Sequence, residues 1–316
     1  MSRSTRATGR SLHVPVVDIS RWEMGSARHR ASITAHVDAA AGGTGFVQIL
    51  GHGIPDPIAG GLSQAVDTFF AQEAEAKRAV GAPAAWIDRG YRSGPDGRPG
   101  PESFTVGTQA VDHRDLALPS ARYPENVWPT GLPRFRHQVM AWFEAARNLA
   151  RRLTRVFAVT LDLPEGFFHT YTGHSLDVLR MESAPASGPR TDAGILTIRW
   201  AAPVPGVQIL DGGGRWCDVA AEPGALLVNV GDLLARWTND RWVSAAHRVV
   251  PPTDGLGAPV RHRSAAFFHD GDFDALVTTL PTCVDERNPG RYAPVTVAGY
   301  LAERRGRDLT GPLGSA

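Results

Sequence analysis

The chain of 316 residues has a single lysine, Lys77, and two cysteines, Cys217 and Cys283. With no CxxC and no Cys/His spacing of a zinc site, a disulfide framework and a zinc ribbon are both excluded. No apolar run reaches the roughly 18 residues of a transmembrane helix. The opening stretch, MSRSTRATGRSLHVP, is positively charged but lacks the apolar segment of a signal peptide. It reads as a disordered tail over residues 1–12, and the expected location is the cytoplasm. An excess of one charge is missing too. Thirty-three Lys plus Arg stand against 32 Asp plus Glu, a balance that gives no footprint for nucleic acid or an anionic membrane. The scarcity of lysine among so many arginines, with abundant Ala and Gly, suggests GC-rich coding DNA and says nothing of function.

The residues that are present make a globular protein, 42% apolar and 21% charged, long enough to bury a large core. Residues 14–22 read as a short strand, 27–41 as a helix ended by Gly42-Gly43, and 45–50 as a compact apolar strand. Asp56 is a good N-cap with Pro57 in the first helical position. Ile58, Leu62, Ala65, Val66, Phe69 and Phe70 then form an apolar stripe at helical spacing. Residues 81–130 read as loops with a short strand at 102–107. A long helix starts near Leu132, with Arg147, Arg151, Arg152 and Arg155 expected on a solvated face. The GGTGFVQILGHG stretch lacks the strand–GxGxxG–helix context of a dinucleotide site.

Beyond about residue 175, strand-length segments alternate with turn signals, and Asp211-Gly212 is a strong hairpin signal. Helices come first and strands later, so the expected class is α+β, a helical layer supporting a β-sandwich or barrel. One structural unit is expected, divided into the tail 1–12, an N-terminal α/β region 13–125, a helix plus β core 126–285 and a C-terminal segment 286–316.

Asp192 opens a strand and His247 lies on a later one, and a small barrel could bring both to its mouth. One carboxylate and imidazole, with open positions beside them, is the donor chemistry of a non-haem ferrous site. On its own the pair is a weak signal, because such residues more often serve turns and cores.

The wider pattern is more specific. VPVVDIS, GFVQILGHGIP, RGYRSG, ESFTVG, NVWP, the stretch GVQILDGGGRWCDVAAEPGALLVNVGDLLARWTNDRWVSAAHRVVPP, FFHDGDFDALVTTLP and YAPVTVAGYLAER resemble the isopenicillin N synthase-like family of Fe(II)/2-oxoglutarate-dependent oxygenases. The resemblance runs from about residue 13 to 303. It implies a double-stranded β-helix (jelly roll, cupin-like) with supporting helices. It further implies an oxidoreductase acting on a small molecule in specialised metabolism, with Fe(II) and 2-oxoglutarate as cofactors. Asp192 matches the family's metal-binding carboxylate and His247 its distal histidine ligand.

Three departures stand out. The first ligand belongs to an HxD motif, which here reads Arg190-Thr191-Asp192. A guanidinium stays protonated and has no lone pair to give a metal. The family's cosubstrate Arg lies in an RxS motif that here reads His262-Arg263-Ser264. Without a backbone shift, a His there is too short to put a nitrogen about 2.0–2.2 Å from the metal, and strand alternation turns Arg261 and Arg263 the other way unless a β-bulge re-aims one of them. Where the family often has Asn-Tyr-Tyr-Pro, with a Tyr touching the cosubstrate, this chain has Glu182-Ser183-Ala184-Pro185. That leaves His262, Ser264 and Ser183 as the candidate cosubstrate residues.

Arg190 and Asp192 are two apart, so on a strand they share a face. Arg190 is therefore expected to neutralise Asp192 in the place of iron, an ion pair whose loss would leave roughly 3–5 kcal/mol uncompensated. Three readings stay open. Asp192, His247 and a third, non-protein group could hold Fe(II) for oxygen chemistry. A redox-neutral enzyme could use His247 or His262 as acid/base with Arg190 on the substrate. A non-catalytic member could serve a partner protein.

Overall fold

The computed structural model describes residues 11–84, 87–93, 101–184, 187–201, 206–250 and 262–304. Two sheets face each other, and a helical layer packs on the outside of the larger one. The larger sheet has eight strands, in the order β2 (Val16–Asp18), β3 (Phe46–Leu50), β11 (Leu226–Val230), β8 (Leu196–Ala201), β13 (His262–His269), β6 (Val178–Ala184), β5 (Glu102–Gly107) and β4 (Gly90–Arg92). The smaller has β1 (Ser11–Leu12), β10 (Trp216–Val219), β9 (Val207–Leu210), β12 (His247–Val249) and β7 (Ser187–Arg190). This is the α+β double-stranded β-helix that the sequence leads one to expect.

Each helix is set by its apolar stripe. Helix α1 (Ala27–Gly43) is capped by Ser26, whose hydroxyl accepts from the His29 amide. Helix α2 (Asp56–Phe70) buries Leu62, Ala65, Val66, Phe69 and Phe70. Its cap position is Pro55, with Asp56 and Pro57 already helical, one residue earlier than expected. Helix α4 (Phe135–Thr160), which follows the short α3 (Ala74–Arg78), runs behind the large sheet and buries Phe143, whose ring meets Phe267 edge-on at 5.2 Å.

Of the α4 arginines expected on a solvated face, Arg155 is exposed, but Arg147 and Arg152 turn inward. Arg147 reaches the buried Asp177 at 3.0 Å. Arg152 donates to the carbonyls of Ile19 at 2.6 Å and Gly51 at 3.0 Å. The expected hairpin joins β9 to β10, with Trp216 opposite Leu210. Within the expected tail, Ser11 and Leu12 form β1, paired with β10; residues 1–10, Pro185 and Arg261 lie outside the described residues.

Register fixes what the barrel interior holds. Directly opposed residues of antiparallel strands share a face. Ala266 on β13 lies opposite both Arg180 and Arg199, Ser264 lies opposite Glu182, and Phe268 opposite Thr197. Asn229 on β11 opposes Thr197. Arg180, Glu182, Thr197, Arg199, Asn229, Ser264, Ala266 and Phe268 therefore share the inner face. Leu179, Met181, Ile198, Ala265 and Phe267 form the other face, against the helices. The interior has an apolar end, built from Val14, Phe46, Ile209, Val219 and Ala245, and a charged end, where the candidate site lies.

Candidate functional site

Chain geometry beyond β7 decides where Asp192 goes. The strand ends at Arg190, and residues 191–194 run as a loop. That loop is clamped by the amide of Asp232, which donates to the Asp192 carbonyl at 2.7 Å, and by the Leu233 amide on Ala193 at 3.1 Å. Both donors belong to the first turn of α5 (Asp232–Trp237). The docking is tight enough to require glycine, since a Cβ on Gly231 would lie 2.0 Å from the Gly194 carbonyl oxygen. The result is an Asp192 carboxylate that is 4% exposed.

The carboxylate meets Arg199, not Arg190. Arg199, on the inner face of β8, donates through Nη2 to Asp192 Oδ2. Through the same nitrogen it donates to His247 Nε2 at 2.7 Å, and through Nε to Asn229 Oδ1 at 2.9 Å. Asn229 Nδ2 completes the ring by donating to Asp192 Oδ2 at 2.9 Å. Arg190 lies apart, with Nη2 3.7 Å from Glu182 Oε2. The expected Arg190–Asp192 pair does not form because β7 ends between them, and the two-residue rule holds only within a strand.

Asp192 and His247 do come together, at 3.6 Å between Oδ1 and Nε2. The His247 ring is fully buried and lies edge-on to Phe46. A guanidinium only donates, so Nε2 is the lone-pair nitrogen and Nδ1 carries the proton, which it gives to the Ala245 carbonyl at 3.2 Å. Burial first and Arg199 second push the imidazole pKa down to about 3. Burial would raise the Asp192 carboxyl, but Arg199 outweighs it and holds the carboxyl well below the usual range.

These residues do not fit a metal ion. The lone pair of His247 that would face iron is taken by Arg199, as is Asp192 Oδ2. Among the described residues no group of three or more His, Cys, Asp or Glu is placed to hold a metal.

The cosubstrate candidates divide. Ser264 shares the inner face with Glu182. Ser183 lies opposite Arg263 and Glu102, on the helix-facing side, and so cannot reach a ligand in the barrel. Arg263 also faces the helices and pairs with Asp67 of α2. His262 is 5% exposed, with neither ring nitrogen hydrogen-bonded among the described residues; burial lowers its pKa. His269, at the end of β13, is fully buried against Asp177 at 2.8 Å.

Arg199, Asn229 and Asp232 are not among the site residues that the sequence singles out. The signal was present in Leu196-Thr197-Ile198-Arg199, where alternation puts a cation on the inward face of an apolar strand. In front of the ring lies a cavity of about 330 Å³. Arg180, Glu182, Arg190, Phe268 and Arg304 are among the residues lining it.

Comparison with known proteins agrees with this architecture. Residues 169–270 match the model of the 2OG-Fe(II) oxygenase superfamily. Residues 14–131 match that of the non-haem dioxygenase in morphine synthesis N-terminal region. The chain is 30% identical over 311 residues to the 2-oxoglutarate-Fe(II) type oxidoreductase hxnY of Emericella nidulans, covering 90% of this chain and 86% of that one. It is 30% identical over 297 residues to validamycin A dioxygenase of Streptomyces hygroscopicus subsp. limoneus, covering 84% and 79%. A full-length Neurospora crassa protein, solved in complex with alpha-KG and 5-formyluracil, superposes with a TM-score of 0.82 at 23% identity, over 96% of this chain and 99% of that one. The last likeness is one of fold.

Proposed function

The chain belongs to the 2OG-Fe(II) oxygenase superfamily of oxidoreductases, and from that premise we propose that it is a member whose barrel mouth works on a small molecule of specialised metabolism without iron or 2-oxoglutarate. The observation that carries this reading is the Arg199 guanidinium, hydrogen-bonded to both Asp192 and His247. A fixed cation on these two residues supplies the positive charge that the carboxylate needs, and a dication beside it is disfavoured. At about 4 Å and an effective dielectric near 20, each pair of like unit charges costs roughly 4 kcal/mol. Arg190, at the position of the family's first ligand, adds a second cation and no lone pair. What the mouth retains is charge recognition. The relatives that carry oxidoreductase names support small-molecule metabolism as the setting.

The test is anaerobic calorimetry with Fe(II), with and without 2-oxoglutarate, on wild type, Arg190→His and Arg190→His/Arg199→Leu. The expected result is no binding by wild type, none by the single variant, and binding by the double variant, in which a third ligand is restored and the guanidinium removed. Stoichiometric Fe(II) binding by wild type would overturn the reading.

A further inference from the structure

Two of the charged groups lining the mouth cavity stand apart from the rest. Arg180 donates to Asp88 at 2.8 Å. Arg304 holds Asp232 at 2.5 Å and Thr191 Oγ1 at 2.6 Å. Asp192 is engaged by Arg199 and Asn229. Arg190 and Glu182 approach each other at 3.7 Å, too far for a hydrogen bond, with Arg180 near enough to feel the Glu182 charge. Neither makes a hydrogen bond with any described residue. Both side chains open onto the cavity, 34% and 26% exposed. Behind them lies an apolar wall of Phe268, Ala266 and Val178.

From this juxtaposition of an open guanidinium fork, an open carboxylate and an apolar wall, we propose that the cavity binds a small zwitterion of the α-amino-acid type. The ligand carboxylate takes the fork of Arg190, the geometry that pairs guanidinium and carboxylate through two parallel hydrogen bonds. Its ammonium takes Glu182, and a short apolar group lies against Phe268 and Ala266. The signs of the cavity select against other classes. A simple anion at Arg190 would sit beside the Glu182 carboxylate, and a simple cation at Glu182 would sit beside Arg190. A molecule carrying both signs one carbon apart satisfies both groups at once. A volume of about 330 Å³ is at the small end for ligand sites, which span roughly 300–1,000 Å³. The assignment rests on the iron-free reading, in which Arg199 engages Asp192 and leaves Arg190 and Glu182 to the ligand.

The test is calorimetric titration of the full chain, in EDTA, with L-valine, with 3-methylbutanoate, which lacks the ammonium, and with isobutylamine, which lacks the carboxylate. Valine is expected to bind, with each analogue at least tenfold weaker. Glu182→Gln and Arg190→Gln should each weaken valine at least tenfold, and Arg190→Lys, which keeps the charge but loses the fork, should weaken it by less. Circular dichroism and thermal melting establish that each variant is folded. If Arg190→Gln does not fold, Glu182→Gln alone decides. The proposal is overturned if valine does not bind, if either analogue binds as well as valine, or if binding is indifferent to the Glu182 change. The Fe(II) titration separates the two ideas. Valine binding together with wild-type Fe(II) binding overturns only the iron-free reading. Neither ligand binding overturns only the zwitterion.

Discussion

Arg199 Nη2 lies 2.7 Å from Nε2 of His247, and the same nitrogen reaches Asp192 Oδ2. One guanidinium thus engages both side chains that the fold would otherwise turn toward a metal. It also fixes the His247 tautomer, because the only group Nε2 can offer a guanidinium is its lone pair. The Asp192 carboxylate draws its neutralising charge from this residue.

Removing Arg199 should therefore be costly. Arg199→Met strands the Asp192 carboxylate, which is 4% exposed, and urea unfolding at pH 7 should show a loss of about 3–5 kcal/mol. Arg199→Met/Asp192→Asn removes the stranded charge while keeping the side-chain shape, and should recover more than half of that loss. Additive effects of the two substitutions would show that the pair is not coupled.

Acid should act through His247 before it acts through most carboxylates. The unfolded imidazole titrates near its ordinary value of about 6.5, whereas burial and Arg199 hold the folded one at about 3. Between those values the unfolded chain binds one more proton than the folded chain. This group's contribution to stability is complete above about 6.5 and falls with pH by about 1.4 kcal/mol per unit. In Arg199→Met the imidazole has Asp192 as an uncompensated neighbour at 3.6 Å, so its folded pKa rises and the pH window over which stability is lost narrows. Urea midpoints at pH 7, 6, 5 and 4 for both proteins measure the difference.

The buried Asp177 offers a separate test of α4. Its carboxylate takes Arg147 at 3.0 Å, His269 at 2.8 Å and the Ser175 hydroxyl, and this network ties the helix to the end of β13. Arg147→Met should cost about 3–5 kcal/mol. Arg155→Met, two turns further along, breaks only exposed pairs, with Glu165 and Glu23, and should cost under about 1 kcal/mol. Equal effects in thermal or urea unfolding would return both arginines to the solvated face that the sequence pattern suggests.

That contrast shows what the chain makes legible before folding. Periodicity alone locates α2 and α4, and Asp211-Gly212 locates the β9–β10 turn, because these are local effects of spacing and backbone conformation. The convergence of Asp192 and His247 was legible through the resemblance, which places both on one barrel. The identity of the buried cation was not. Arg190 is the nearer residue in sequence, but β7 ends between it and Asp192, while Arg199 reaches the carboxylate from the neighbouring sheet. Alternation within one strand correctly turned Arg263 away from the barrel. The same alternation puts Ser183 on the helix side, which becomes plain only once its register opposite Arg263 is fixed. The cap of α2 slipped by one residue because Pro55 takes the cap position and Asp56 makes no side-chain cap bond.

His262 stands where the family carries its cosubstrate arginine, yet neither ring nitrogen has a hydrogen-bond partner among the described residues. A buried neutral imidazole in that state forfeits the hydration of one donor and one acceptor, each a penalty of about 1–3 kcal/mol. His262→Leu, of similar size and apolar, should therefore raise stability by about 1–3 kcal/mol and increase Tm. It should also leave valine affinity within twofold of wild type, because the zwitterion's carboxylate is assigned to Arg190 and not to His262. Weaker valine binding in a variant that melts higher would assign the ligand carboxylate to the family's cosubstrate position and move it off Arg190. A lower Tm would mean that the ring is held by contacts whose loss outweighs the relief of its unpartnered nitrogens.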